Sequence, residues 1–385
     1  MKRRKLLICL AEYPPFHSSG IGNCVYCLVN QLKKWIDCRV CSPVGSDIEL
    51  CNGDILKRFS DFYVGGVRPI YGTYFWYRVN KYLQTNSCNK YDIVWIHNPT
   101  PFFLKGILKS TYNKNLITIH TTTSFYPRNQ LIHKVMLGIV SMAEKHSFQN
   151  QVINGARFTA VNPEVAKELE WLGVNREKIR YIPNGVNTEL FKPSNNKKML
   201  RKKFGIPEND LVILSIGRLT EAKQPFKLIE VFSKIEKEMK DVTLVIAGKG
   251  ELLERTKEFA EEKKLKNVIF LGYVEHEKEA PDLYACSDYY IMASKYEGQP
   301  LTLLEAMASG LPCIVSDIPN LKIVEEAKCG LIVDFNDIEK VAEEIVEYFG
   351  EDNPRHAKNA REYAVKNLDW EVIARRYLEE LEKIR

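Results

Sequence analysis

Two glutamates stand eight positions apart around a predicted strand-to-helix turn. Tyr289 to Ala293 is a short apolar run, typical of a buried parallel strand, and residues 301–309 form a helical stretch that Gly310 ends. Glu297 falls in the loop before this helix, whereas Glu305 lies inside it. Open parallel sheets bind ligands beyond the carboxyl ends of their strands, so both carboxylates are expected beside a ligand.

The helix N-terminus between these carboxylates offers free backbone N–H groups and a partial positive charge, which suit a diphosphate. Two carboxylates beside an anion would repel it unless each faced hydroxyl groups, one set on either side of the phosphates. A nucleoside diphosphate sugar has this layout of ribose, two phosphates and hexose. From the spacing alone, a buried helix with two solvated glutamates is an equally good interpretation.

A pair of cations follows another predicted strand, Leu211 to Ile216. Arg218 and Lys223 are five positions apart and could clamp a diphosphate at the end of that strand. The commonest alternative for such a pair is two solvated charges.

Two histidines also occupy predicted strand ends. His97 ends the strand that begins at Asp92, and His120 follows the strand from Leu116 to Ile119. A histidine at such a position is more often a hydrogen-bonded structural residue than a catalyst. The remaining histidines share no metal-ligand spacing, so we predict no metal site.

Four of the ten cysteines imitate a zinc site, as Cys24-x-x-Cys27 and Cys38-x-x-Cys41. The first pair lies in a helical pattern and the second in a predicted strand, where positions three apart point to opposite faces. We therefore interpret them as small core residues rather than as zinc ligands. Free thiols in this number indicate a reducing cytosol.

The length of the chain indicates its number of domains, and its charge distribution indicates the kind of partner. The 385 residues predict two or three domains, and no run of eighteen apolar residues could span a membrane. Residues 1–193 hold 25 Lys and Arg against 13 Asp and Glu, whereas the rest of the chain is acidic. A basic first half suggests an anionic partner there, such as a phospholipid surface, a lipid-phosphate acceptor or a charged glycan. Nothing resembles a nucleic-acid-binding module.

Apolar strands alternate with helical patterns in both halves, which predicts doubly wound parallel sheets. Gly20 and Gly22 lie in the loop between the first strand, Leu6 to Ala11, and a helix that runs to about Trp35. The third glycine of a dinucleotide-binding fingerprint is missing, which disfavours a dehydrogenase. Residues 57–82 interleave basic and aromatic side chains, which suits a membrane interface or stacking on a sugar. Ordinary packing of a helix on the sheet is the preferred interpretation.

Several motifs together resemble one known family. Glu297-Gly298 and, eight positions after Glu297, Glu305-Ala306-Met307-Ala308 are similar to the E-x7-E signature of retaining glycosyltransferases of the GT-B fold, family four. Gly217-Arg218-Leu219 with Lys223 resembles the family's G-R-L-x-x-x-K-G motif, although Gln224 replaces the last glycine. The resemblance is weakest in residues 45–90, which fits an acceptor-specific region.

The resemblance implies an α/β protein of the GT-B class, with two Rossmann-like doubly wound parallel-sheet domains facing across a cleft. It implies an acceptor-side domain at residues 1–193, a nucleotide-sugar-binding domain at 194–366 and a helix at 367–385 that crosses back to the first domain.

The same resemblance assigns roles to individual residues. It gives His120 and Glu297 contacts to the transferred hexose at the catalytic centre, and it makes His97 and Thr121 candidates on the acceptor side. The donor-binding residues that it implies are Gly20, Gly22, Arg218, Lys223, Val274, Glu297, Gly298, Gln299, Pro300, Leu301 and Glu305.

The implied activity is retaining, metal-independent transfer of a hexosyl group from a UDP- or GDP-hexose, used as co-substrate without a further cofactor, to a glycan or lipid-linked acceptor. A cytoplasmic enzyme, peripheral at the inner face of the membrane, would fit. Two alternatives stay open at this point: a nucleotide-sugar epimerase of the same fold and a non-catalytic protein that binds nucleotide sugars. Release of free epimerised sugar, or binding without turnover, would distinguish them.

Overall fold

Two parallel β-sheets organise the chain in a computed structural model. The structure describes residues 3–11, 20–43, 46–49, 69–85, 87–99, 101–111, 114–120, 142, 155–350 and 354–384. The chain divides into two compact units: the first unit comprises Met1–Asn184 together with Trp370–Arg385, and the second unit comprises Gly185–Asp369.

The first unit contains a seven-stranded sheet with the strand order β3-β2-β1-β4-β5-β6-β7, and every described pairing in it is parallel. The strands are β1 (Lys5–Cys9), β2 (Asp37–Ser42), β3 (Ile48–Glu49), β4 (Ile93–His97), β5 (Asn115–Ile119), β6 (Arg157–Ala160) and β7 (Ile179–Tyr181). The order reverses between β1 and β4, as in a doubly wound sheet, so a crevice is expected where their carboxyl ends diverge. All five residues of β4 and of β5 are buried, as in parallel sheets that are covered on both faces.

The helices that the structure describes in the first part of the chain are α1 (Gly20–Leu32), α2 (Pro69–Gln84), α3 (Pro101–Ser110) and α4 (Pro163–Trp171). Helix α2 buries Phe75, Trp76 and Val79 in the core of the first unit. Packing in the core therefore accounts for Phe75 and Trp76, in agreement with the interpretation that the sequence analysis preferred. The basic and aromatic residues of 57–68 lie outside the described residues.

The second unit contains a six-stranded parallel sheet with the order β10-β9-β8-β11-β12-β13. Its strands are β8 (Leu211–Ile216), β9 (Val242–Ala247), β10 (Val268–Gly272), β11 (Tyr289–Met292), β12 (Cys313–Ser316) and β13 (Gly330–Val333). Its helices are α5 (Lys197–Lys203), α6 (Pro225–Glu238), α7 (Leu253–Glu262), α8 (Ala280–Cys286), α9 (Leu301–Ala308), α10 (Ile323–Glu326), α11 (Ile338–Gly350) and α12 (Pro354–Asn367). The order reverses between β8 and β11, which places the switch point of this sheet between the loops that carry Arg218 and Glu297.

Two apolar clusters cover the two faces of this second sheet. Cys313 and Val315 of β12 belong to the cluster that contains α9, whereas Ile314 between them belongs to the cluster that contains α6. Alternate residues of a strand point to opposite faces, so the sheet is buried on both sides.

The last helix, α13 (Trp370–Glu382), belongs to the first unit. Its buried Glu380 accepts two hydrogen bonds from Arg157 of β6, at 2.9 and 2.7 Å, and the ring of Tyr377 packs on Trp95 of β4. Arg4 donates to the carbonyl oxygens of Leu381 and Ile384. An ion pair with one fully buried partner and an aromatic contact therefore attach this helix to the sheet.

Three local features differ from the sequence-based expectations. Strand β3 was not predicted, and Gly20 and Gly22 lie in the first turn of α1 rather than in the loop before it. From the sequence, residues 195–204 with their five Lys and Arg are expected to form a solvated amphipathic helix. Helix α5 does form there, but Arg201 is only 5% exposed and donates to backbone carbonyl oxygens of the second unit. Glycine lowers helix stability by about 1 kcal/mol per residue, but α1 buries an apolar face that includes Val25, Leu28 and Leu32, and such packing outweighs helix propensity.

Three of the four cysteines in the two Cys-x-x-Cys pairs follow the core interpretation, whereas Cys27 is half-buried. Cys24 of α1 and both Cys38 and Cys41 of β2 are buried, and all three are free thiols. Burial raises the pKa of Cys38 to about 12. Among the described residues, no group of three or more His, Cys, Asp or Glu could hold a metal ion. No helix in the described ranges has the length and apolar character that a membrane span requires.

Candidate active site

The loop between β11 and α9 has the predicted order of strand, short loop and helix. Residues 293–300 connect the two elements, and Pro300 precedes the first helical residue, Leu301. Pro300 is buried, whereas Gly298, Gln299 and Leu301 are half-buried. The free N–H groups of the first turn of α9 therefore lie at the carboxyl end of β11, as a phosphate site requires.

A second loop, after β8, adds the two predicted cations. Arg218 and Lys223 line one pocket at the carboxyl ends of β8 and β11, and Ser294 lines the same pocket. Arg218 is exposed and Lys223 is half-buried. The backbone N–H of Lys295 donates to the carbonyl of Ala222 at 2.8 Å, so the loop after β11 is attached to the loop after β8. The hydroxyl oxygen of Ser294 is buried and has no hydrogen-bond partner in the described part of the chain.

The carboxylate of Glu297 lies at this junction and forms an ion pair with the ammonium group of Lys223. Its side chain is 11% exposed, and its backbone carbonyl accepts a hydrogen bond from the Asn320 amide at 2.6 Å. The geometry thus brings a predicted phosphate-binding cation and a predicted sugar-binding carboxylate into direct contact. Neither this contact nor the involvement of Asn320 was predicted from the sequence.

The other carboxylate, Glu305, is buried in α9, and each of its oxygens has a partner. The Tyr284 hydroxyl donates to Oε2 at 2.9 Å, and Nε2 of His276 lies 2.7 Å from Oε1. The hydrogen bond to Glu305 raises the pKa of His276 above its usual value. Two side chains therefore fix the orientation of this carboxylate. Val274, predicted on the donor side, is half-buried against the core two residues before His276.

His276 and Tyr284 were not predicted from the sequence. His276 lies 29 positions before Glu305 and follows β10, and Tyr284 belongs to α8. Neither residue forms a motif with Glu305 along the chain, because the contacts exist only after the sheet brings β10, α8 and α9 together. A histidine after a strand of the second half, at the same sheet edge as the carboxylates, was the only available signal.

The two histidines of the first unit are in contact with each other. His97 ends β4 and His120 follows β5, and both are buried. Nδ1 of His97 lies 3.1 Å from Nε2 of His120, with the rings stacked at a centroid separation of 5.4 Å. Burial lowers both pKa values, that of His120 to about 4. Both imidazoles are therefore neutral at neutral pH.

The structure describes some of the remaining predicted residues of the first unit, but not all of them. Gly20 is exposed, with no atom of the described residues within 4 Å of the position that a Cβ would take, whereas Gly22 is buried in α1. Asn98 accepts a hydrogen bond from the backbone N–H of His120 at 2.8 Å. Thr121 and residues 12–19 lie outside the described residues.

Comparison with known proteins gives matches in both halves of the chain. Residues 18–190 match the family model described as Glycosyltransferase Family 4, and residues 196–367 match the model described as Glycosyl transferases group 1.

Two curated relatives illustrate the match. UDP-Gal:alpha-D-GlcNAc-diphosphoundecaprenol alpha-1,3-galactosyltransferase of Escherichia coli is 35% identical over 181 residues, 46% of this chain and 46% of the relative. Alpha-galactosylglucosyldiacylglycerol synthase of Streptococcus pneumoniae (strain ATCC BAA-255 / R6) is 28% identical over 297 residues, 75% of this chain and 74% of the synthase. The chain thus spans about half the length of the first relative and about three quarters of the second.

Solved structures with the same architecture cover nearly the whole chain. WaaG, a glycosyltransferase involved in lipopolysaccharide biosynthesis, matches with a TM-score of 0.75 and 16% identity over 98% of this chain and 99% of WaaG. HepE from Anabaena, in complex with UDP and glucose, matches with a TM-score of 0.72 and 18% identity over 99% of this chain and 100% of HepE. These likenesses confirm the predicted fold class.

Proposed function

We propose that the chain, which belongs to the family four glycosyltransferases of the GT-B fold, transfers a hexosyl group from a nucleoside diphosphate sugar to a glycan, lipid or lipid-phosphate acceptor. One observation carries the proposal. At the switch point of the second sheet, Glu297 and Glu305 flank the N-terminus of α9, while Arg218 and Lys223 line the adjoining pocket. This arrangement suits two phosphates between two sets of sugar hydroxyl groups.

The donor diphosphate would be held by Arg218, Lys223 and the N-terminal turn of α9. These groups place positive charge where the leaving phosphate develops negative charge, which is the electrostatic role that a divalent metal plays in other transferases. We therefore propose that transfer needs no metal. The backbone of Gly298, Gln299, Pro300 and Leu301 would approach the phosphates.

The sugars on either side of the phosphates would contact the two carboxylates. Glu305, already oriented by His276 and Tyr284, would bind the ribose hydroxyl groups, and Val274 would lie near the base. Glu297 would bind hydroxyl groups of the transferred hexose. From the first unit, His120 would bind the hexose, and Gly20 and Gly22 would approach the donor phosphates.

The proposed reaction retains the configuration of the anomeric carbon. The acceptor hydroxyl attacks from the side that the diphosphate leaves, a bond forms from its oxygen to the anomeric carbon, and the bond from that carbon to the phosphate oxygen breaks. The acceptor proton passes to the leaving phosphate oxygen, so no protein nucleophile or base is required. Neutralisation of the phosphate by Arg218 and Lys223 supports departure of the diphosphate.

The acceptor would bind the first unit, with His97 and Thr121 on its side of the reaction. The net charge of +12 on residues 1–193 suits a lipid phosphate, a charged glycan or an anionic membrane surface. The name of the first curated relative contains a diphosphoundecaprenol-linked sugar, and the name of the second contains a glycosylated diacylglycerol. We propose a cytoplasmic protein, peripheral at the inner face of the membrane, which the buried free thiols support.

The test measures release of nucleoside diphosphate from a panel of UDP-, GDP- and ADP-hexoses in the presence of EDTA. Slow hydrolysis confined to one donor is expected, together with thermal stabilisation by that donor. Glu297→Ala should abolish the release, whereas Glu339→Ala, at a surface ion pair of α11, should leave it unchanged. Full activity of Glu297→Ala, or neither release nor stabilisation with any donor, would contradict the proposal.

A further inference from the structure

The contact between His97 and His120 fixes where each ring carries its proton. A neutral imidazole has one N–H donor and one lone pair. Both rings are neutral at neutral pH, because burial lowers both pKa values. At the 3.1 Å contact, one nitrogen must therefore donate and the other must accept. Only two arrangements satisfy this condition, and each fixes the tautomers of both rings at once.

The opposite nitrogen of His97 distinguishes the two arrangements. Nε2 of His97 is buried and has no hydrogen-bond partner in the described part of the chain. If His120 donated from Nε2, His97 would carry its proton on this unpartnered atom, and buried N–H groups without an acceptor are rarer than underused acceptors. If His97 donates from Nδ1, only a lone pair is left there. The second arrangement is favoured, and it leaves His120 with its proton on Nδ1.

The surroundings hold His97 in place for this role. The ring of Trp95 packs on the ring of His97 with a centroid separation of 4.6 Å, and the indole N–H of Trp95 donates to the Thr118 hydroxyl at 2.7 Å. The Thr118 hydroxyl also lies 2.6 Å from that of Thr159, so the network extends across β4, β5 and β6. His97 therefore packs against an indole ring that this network holds in one orientation.

We infer that His97 is a positioning residue that sets His120 as a neutral hydrogen-bond donor through Nδ1, which in the proposed function would donate to an oxygen of the transferred sugar. The identity of that oxygen as a sugar oxygen rests on the proposed function. The inference also states what His120 does not do. Its Nε2 lone pair is engaged by His97 and its Nδ1 carries a proton, so His120 cannot remove the proton of the acceptor.

The tautomers can be read directly from the free protein. Long-range ¹H–¹⁵N NMR spectra of histidine-labelled protein at pH 7 should show both residues with the proton on Nδ1, after assignment with single variants at each position. In His97→Phe, His120 should lose this fixed state and populate the Nε2–H form. A wild-type spectrum with His120 protonated at Nε2, or an unchanged tautomer in His97→Phe, would overturn the inference. This measurement needs no turnover, so its failure is distinct from a failure of the proposed function.

A rescue experiment separates positioning from packing. His97→Asn keeps an amide N–H near the position of Nδ1, whereas His97→Phe keeps only the ring volume. With the donor identified by hydrolysis, His97→Phe should lower kcat by about five- to tenfold, the effect of one net hydrogen bond, without weakening nucleoside diphosphate binding. His97→Asn should restore the Nδ1–H tautomer of His120 and most of kcat. Equal losses of kcat in both variants, with the tautomer of His120 restored only in His97→Asn, would show that the hydrogen bond does not serve the reaction.

Discussion

The ammonium group of Lys223 contacts the carboxylate of Glu297 although the two residues are 74 positions apart. The contact joins the loop after β8 to the loop after β11, and the backbone bond from Lys295 to Ala222 supports it. Without this cation, a carboxylate at the N-terminus of α9 would repel the diphosphate that the helix is proposed to bind. In the proposed function, Lys223 would therefore have two roles, binding phosphate and screening the charge of Glu297.

If Lys223 binds phosphate and also screens Glu297, substitutions in this group should change the nucleotide affinity in a specific pattern. Arg218→Ala should weaken binding of the cognate nucleoside diphosphate about 10- to 100-fold, the usual effect of losing one charge-assisted bond. Lys223→Ala should weaken it more, because Glu297 is then unpaired, and adding Glu297→Gln to Lys223→Ala should recover part of the loss. Isothermal titration calorimetry measures these affinities, with Lys234→Ala of α6 as the control. Additive effects of the Lys223 and Glu297 substitutions would contradict the screening role.

The contact between His276 and Glu305 predicts a titration. His276 is expected to titrate above 6.5, and Glu305→Gln should lower its pKa because the hydrogen bond to the carboxylate is the largest cause of the shift. A raised pKa contributes stability that is present below pH 6.5 and is lost as the pH rises through the folded value. The side chain of His276 is 52% exposed, so this contribution to folding should be small. NMR titration of the imidazole measures the shift, and an unchanged pKa in Glu305→Gln would refute its assignment to Glu305.

His120 predicts the opposite dependence of stability on pH. Burial lowers its pKa to about 4, so as the pH falls below 6.5 the unfolded chain takes up a proton that the folded chain does not. Between pH 7.5 and pH 5.0 the wild type should lose about 2 kcal/mol more stability than His120→Phe, from 1.36 kcal/mol per pKa unit. Urea unfolding followed by tryptophan fluorescence is suitable, because all five Trp belong to the first unit. Equal losses in the two proteins would contradict the prediction.

Replacement of Arg201, which does not line the pocket of Arg218 and Lys223, is predicted to lower the stability of the second unit by a large amount. Its guanidinium donates to the carbonyl oxygens of Cys286, Glu208 and Asp210 and pairs with Asp288. Arg201→Met should destabilise the second unit by about 3–5 kcal/mol, because buried acceptors and a carboxylate lose their donor.

The control for Arg201 is Lys197, which pairs with the same Asp288 but has a side chain that is 42% exposed. Lys197→Met should cost less than about 1 kcal/mol. Urea unfolding followed by far-UV circular dichroism reports both units, so comparison with tryptophan fluorescence locates the change. Similar losses in the two variants would show that burial of Arg201 is not decisive.

Replacement of Gln224 by glycine is predicted to stabilise the second unit. It has φ 49° and ψ 52°, in the left-handed region, where the family pattern has glycine. A residue with a side chain loses roughly 1–2 kcal/mol of folding stability in this conformation. Glycine avoids that strain but lowers stability by about 0.4–1 kcal/mol, because it makes the unfolded chain more flexible. Gln224→Gly should therefore stabilise the second unit by about 0.5–1 kcal/mol, whereas Gln224→Ala should not. The midpoints of urea unfolding of the wild type and the two variants measure this difference. A loss of stability in Gln224→Gly would contradict the strain argument.

What the sequence could predict was local in character. The order of β11, loop and α9 follows from an apolar run, a proline and a glycine within some twenty residues. The same holds for the placement of Glu297 before the helix and Glu305 within it. The pairings of those carboxylates were beyond prediction, because Lys223, His276 and Tyr284 reach them only through the sheet order. Arg201 was misjudged for a related reason: its carbonyl partners lie on other segments, so a basic helix gives no sign of burial.

The position of α13 in the chain affects how the protein is made. Strands β1 to β7 leave the ribosome first, yet the helix that supplies Glu380 to Arg157 and Tyr377 to Trp95 emerges only after residues 185–369 have been synthesised. Domains generally fold as units during synthesis, from the N-terminal end. The second unit, which is continuous in sequence, can therefore complete its fold on the ribosome before the first unit does. The nascent first unit meanwhile exposes the surface that α13 will cover, and it depends on translation reaching the last helix.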